Sequence, residues 1–97
     1  TVDRTLTLPT AALAVAGISG VEIGDAIDFI IINNSTPANE AFIMIANGTG
    51  SSITGNTTIA PASNNVSTFY TSGSGTFRIR FTNVTGGSEA YVAYRIA

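Results

Sequence analysis

Apolar and polar residues alternate most regularly near the end of the chain. From Gly75 to Val84, Phe77, Ile79 and Phe81 interleave with Arg78, Arg80 and Thr82, the period of two that sends successive side chains to opposite faces of a strand. Asn83 to Gly87 supplies Asn, Thr and Gly for a turn, and Ser88 to Ile96 alternates again, with Ala90, Val92, Tyr94 and Ile96 against Tyr91, Ala93 and Arg95. The two runs predict an antiparallel hairpin. An Arg78 or Arg80 facing Arg95 across it would call for a carboxylate close by, because like charges directly opposed destabilise a pair.

The segment Asp25 to Asn34, DAIDFIIINN, is apolar almost without interruption, which predicts a central strand covered on both faces. Asp28 is the charge in its middle. It must be ion-paired, hydrogen-bonded or at a rim, and Arg78, Arg80 and Arg95 are the candidate partners in a structural ion pair. Glu40 to Ala46 forms another run after a loop containing Pro37, and Asn47-Gly48 with Gly50 breaks it off. Shorter runs follow at Ser52 to Thr54, Asn56 to Ala60 and Val66 to Thr71.

At the start of the chain Leu6 and Leu8 alternate with Thr5 and Thr7 until Pro9. Two readings fit: an ordinary first strand, or an extended arm over residues 1–8 whose Val2, Arg4, Leu6 and Leu8 bind a neighbour by strand addition. Thr10 to Ile18 carries the helical signal, with Thr10 as cap, Leu13 and Ala16 facing inward together and Gly17 closing the helix. The sum is a single all-β domain over residues 1–97, an antiparallel β-sandwich or jelly-roll-like body with one short N-terminal helix and an N-terminal extended arm.

Composition narrows what such a body does. The 97 residues include no His, Cys, Lys or Trp, so the usual carriers of acid/base, thiolate, zinc and Schiff-base chemistry are missing. No enzyme and no cofactor is expected. Charged residues make up 10% of the chain and the net charge is −2, against about 25% charged residues in ordinary soluble domains. A surface this neutral predicts coverage by copies of the chain or by another protein. Four Arg form no basic stripe, so neither nucleic acid nor an anionic membrane is an expected partner. No apolar run approaches the ~20 residues of a membrane span, and the first residues lack the pattern of a signal peptide.

Asn33, Asn34, Asn47, Asn56, Asn65 and Asn83 each begin an Asn-x-Ser/Thr triplet, which a chain rich in these residues produces by chance. Glu22, Asp25 and Asp28 are the acidic cluster, but residues three apart on a strand point to opposite faces, and no calcium-loop pattern surrounds them. Phe69, Tyr70, Tyr91 and Tyr94 are the aromatics from which a sugar-stacking face would be built, although strand aromatics are more often core or cross-strand partners.

The pieces LPTA at Leu8 to Ala11, GDAIDF at Gly24 to Phe29, the Gly/Thr loops from Gly48 to Gly55 and FRIRFTNVTGGSEAYVAYRI at Phe77 to Ile96 together resemble a small β-rich structural module of the virions of tailed phages and other aquatic viruses. The resemblance covers most of the chain and none of its pieces is a catalytic signature. It implies a capsid decoration or cement protein on the virion surface, partnered by the major capsid protein and by its own copies as a trimer, with a dimer as the other option. A head- or tail-fibre module that binds a receptor glycan is the alternative it leaves open.

Overall fold

A computed structural model describes residues 3–35, 41–61, 63–66, 69–71 and 73–97, with no side-chain description for 63–66 and 69–71. Its longest strand, β8 (Gly73–Asn83), follows the alternating run: from Gly75 to Phe81 every odd position is buried, and Arg78 and Arg80 point to solvent. On one side β8 pairs antiparallel with β9 (Ala90–Arg95), register Ile79 to Ala93, across a turn in which the Asn83 carboxamide oxygen accepts from the Thr85 N–H at 2.8 Å. On its other side β8 pairs antiparallel with β2 (Ala26–Asn33), register Phe29 to Phe77. The short β4 (Ser51–Thr54) completes this sheet by lying parallel to β9, giving the order β2-β8-β9-β4.

The second sheet has the order β1-β3-β5, with β1 (Arg4–Thr7) parallel to β3 (Ile43–Ala46) and β3 antiparallel to β5 (Thr58–Ile59). The strands β6 (Ser63–Val66) and β7 (Phe69–Thr71) form a separate antiparallel pair. Each of the two larger sheets is mixed, so the all-antiparallel expectation is corrected at two places. Parallel partners need a crossover connection, and here β1 reaches β3, and β4 reaches β9, only through intervening elements.

One core cluster draws on both sheets: Leu8, Ile45 and Ile59 come from the β1-β3-β5 side, and Phe77, Ile79, Phe81, Tyr91 and Ala93 from β8 and β9. Phe29 stacks on Phe77 with ring centroids 5.5 Å apart, and Phe81 meets Tyr91 edge to face at 5.9 Å, geometries that aromatic quadrupoles favour.

The helix α1 (Ala11–Gly17) is capped by Thr10, whose hydroxyl accepts from the Leu13 N–H at 3.2 Å. Its inward face is Ala11, Ala14, Val15 and Ile18, whereas Leu13 is 67% exposed and Ala16 also faces solvent. The expected Leu13/Ala16 face is thus corrected, and the reason is clearance. Ala11 lies against Gly50, where an added Cβ would come within 2.8 Å of the Ala11 Cβ and 2.7 Å of the Glu89 carbonyl. Gly50 also has φ +84°, a left-handed conformation that favours glycine. Only a small residue brings the helix this close.

The strand β2 also departs from expectation. It lies at the edge of its sheet, and its outward residues Ile30 and Ile32 are 63% and 62% exposed. The continuous apolar run is covered on one face only.

Candidate functional site

Register decides which charged residues meet. Asp28 is the cross-strand partner of Arg78, and the guanidinium grips the carboxylate at two points, Nε to Oδ1 at 2.7 Å and Nη2 to Oδ2 at 3.0 Å. These hydrogen bonds hold the Asp28 carboxyl below its ordinary value of 3.8 and, with the attraction between the charges, raise Arg78 further. Both side chains are about half exposed, so the pair neutralises charge on the sheet's outer face more than it stabilises the fold.

Arg80 and Arg95 are placed elsewhere. Arg80 stands opposite Ala26 and Val92 on the outer face. Arg95 is opposite Phe77, on the inner side of the sheet, so neither Arg78 nor Arg80 faces it across the hairpin. Its guanidinium lies 5.2 Å from the centre of the Phe77 ring and donates to the backbone carbonyls of Asn56 at 3.0 Å, Thr58 at 3.2 Å and Ser74 at 3.3 Å. It closes one end of the core and joins both sheets.

Of the four arm residues, Val2 lies outside the described residues. Arg4 and Leu6 sit on β1 and Leu8 just after it; Leu8 is buried in the core, while Leu6 stays 44% exposed. The strand pairs within its own chain: Arg4 N–H donates to the Phe42 carbonyl at 2.9 Å, Leu8 N–H to the Ala46 carbonyl at 2.8 Å, and the Asp3 carboxylate accepts from the Phe42 N–H at 3.0 Å.

Between the free edges of β1 and β2 runs an apolar seam. One part, about 550 Å³, is lined by Leu6, Ile31, Phe42 and Ile43 with Asn33 at its end, and the other, about 320 Å³, by Leu6, Leu8, Pro9, Phe29 and Ile79. The seam is mostly apolar by exposed area, and the polar side chains of Arg4, Thr5, Thr7, Asn34 and Ser35 complete its lining.

Two residues anchor the site without a distinctive sequence signal. Asn33 is buried at the end of β2 and fully satisfied: its amide donates to the carbonyls of Ala41 at 2.8 Å and Ile59 at 3.0 Å, and its oxygen accepts from the Ser35 N–H at 3.0 Å. The sequence marks Asn33 only as the start of a glycosylation triplet, which its burial makes unreachable in the folded chain. Tyr91 is 1% exposed, its hydroxyl donates to the Pro9 carbonyl at 2.6 Å, and burial raises its pKa. It belongs to the core and cannot stack on a sugar. The Phe69 and Tyr70 side chains lie outside those described.

Asp25 accepts from the Glu22 N–H at 2.9 Å and closes the turn before β2, a task separate from that of Asp28. Among the described residues no group of three His, Cys, Asp or Glu is placed to hold a metal, and no helix is long and apolar enough to cross a membrane. Comparisons with protein-family models, curated proteins and solved structures find no match.

Proposed function

We propose that this chain is a virion structural protein, a capsid decoration or cement protein that stabilises the shell by binding between subunits of the major capsid protein. In this reading the body is a β-sandwich of jelly-roll character, and it works as a small homo-oligomer on the capsid surface. The observation that carries the proposal is the apolar seam along β1 and β2 on a chain of only 10% charged residues. Such a surface gains by being covered, and cementing requires contact area repeated over many copies. The sequence resemblance supplies the shell as the surface to be covered.

The test is stoichiometry in purified particles. A cement protein is present in numbers comparable with the capsid subunit, and particles stripped of it lose their contents at a lower temperature. A handful of copies per particle, with specific binding on a glycan array, would replace this reading with that of a fibre module.

A further inference from the structure

The free edge of β2 differs from every other edge of the two larger sheets. The edge strands β1, β4 and β5 have four, four and two residues, and each contains Thr or Ser; β2 has eight, carries apolar residues on both faces, and its single charge is already paired in its own chain. Proteins blunt exposed edges with short strands, charged side chains, prolines or bulges, because an open edge is a template for another strand. Of these devices the described residues of β2 hold only the charge of Asp28, which is ion-paired with Arg78 of its own chain.

The hydrogen-bond phase shows what this edge offers. Phe81 donates to the Asp25 carbonyl and accepts from the Gly24 N–H, while Thr76 donates to the Ala97 carbonyl and accepts from the Ile96 N–H. Odd residues of β8 therefore serve β2 and even ones serve β9. By the alternation of an antiparallel ladder, odd residues of β2 are spent on β8. Ala26, Asp28, Ile30 and Ile32 turn both their N–H and C=O groups outward.

We infer that β2 pairs antiparallel with β2 of a second copy about a twofold axis through Ile30, joining the two four-stranded sheets into one. This register sets Ile30 against its equivalent and Asp28 against Ile32, and on the other face Phe29 against Ile31. Charge selects it. The two Asp28 carboxylates fall four positions apart, about 13 Å at ~3.3 Å per residue, beyond the ~8 Å screening length of physiological salt, and each keeps its own Arg78. Centring on Phe29 instead would bring the carboxylates within two positions of each other.

Leu6, Ile27, Ile30, Ile32 and Phe42 together expose the equivalent of about two and a half large residues. At ~150–250 Å² each this is at most roughly 500 Å² per copy, an upper limit of ~1,000 Å² in all, the size of a small, weak interface. The pairing does not depend on the cement reading.

Cysteine cross-linking in this cysteine-free chain tests it. Facing Ile30→Cys residues would have Cα atoms about 5.5 Å apart, within disulfide range, so this variant is expected to give a covalent dimer under mild oxidation, while the equally exposed Ile23→Cys stays monomeric. In sedimentation equilibrium the unmodified chain dimerises, and Ile30→Lys, at a position too exposed to threaten folding, raises the dimer Kd at least tenfold. A strict monomer at high concentration, a trimer, equal cross-linking at both positions, or a dimer indifferent to Ile30→Lys would each overturn the twofold pairing.

Discussion

The hairpin β8–β9 and the edge strand β2 are built from similar amounts of apolar sequence and meet opposite fates. In β8 the apolar residues occupy alternate positions, so the pleat buries Phe77, Ile79 and Phe81 and leaves arginines in water. In β2 the run Phe29 to Ile32 has no such alternation; Phe29 and Ile31 pack inward, and Ile30 and Ile32 are left outside. The difference lies in how many layers the chain can make. Ninety-seven residues supply one interior, and a strand apolar on both faces has only one of them to fill. On the twofold pairing inferred above, a second copy of β2 supplies the other covering.

The comparison breaks most sharply at Phe77. Its ring is fully buried between Phe29 and Arg95, so Phe77→Ala is expected to cost about 3–5 kcal/mol, measured by urea denaturation of dilute protein. The matched change on the edge strand, Ile32→Ala, should stay within about 0.5 kcal/mol under the same conditions. Equal losses at the two positions would mean that Ile32 is covered within its own chain.

Asn33→Ala comes next, at about 1–3 kcal/mol, because two backbone carbonyls lose their buried donor. Gly50→Ala is expected to cost a similar ~1–3 kcal/mol, through its positive φ and the Ala11 contact. A thermal melt ranks both between the Phe77 and Ile32 variants.

The smallest effect belongs to the ion pair. Because the Asp28 carboxyl titrates lower in the folded chain than in the unfolded one, its contribution is present above the unfolded value near 3.8 and is lost as pH falls through the folded value. Asp28→Asn should lower the melting temperature slightly at pH 7, and the difference from the parent should vanish in acid. A difference that persists unchanged at low pH would show that the mutation acts through something other than this charge.

Much of this architecture was legible in the residues, for identifiable reasons. The alternation in Phe77 to Thr82 carries its own facing information, and Thr10 marks a helix start by its capping hydroxyl; in Ala90 to Ile96 both alternating sets are apolar, and the buried one is the set that ends in Arg95. What could not be read is set by tertiary neighbours. A continuous apolar run does not reveal whether it will be central or at an edge, since both demand at least one buried face. The inward side of α1 follows from the fit of Ala11 to Gly50, two residues far apart in sequence. The parallel placement of β1 beside β3 and of β4 beside β9 leaves no local trace. Within the site, a list of four charged residues spread over three strands could name a pair but not the register that selects Arg78. Asn33 carries a decisive set of hydrogen bonds behind an ordinary Asn-Asn-Ser triplet.

Amide hydrogen exchange reads directly what lies beside the free edge of β2. In dilute solution the outward N–H groups of Asp28, Ile30 and Ile32 should exchange quickly while those of Phe29 and Ile31 are protected. Raising the protein concentration through the association range should slow the first set at least tenfold and leave the second unchanged. Rapid exchange of the outward amides at every concentration would contradict the account, because the apolar edge would then be stable in water with nothing to cover it.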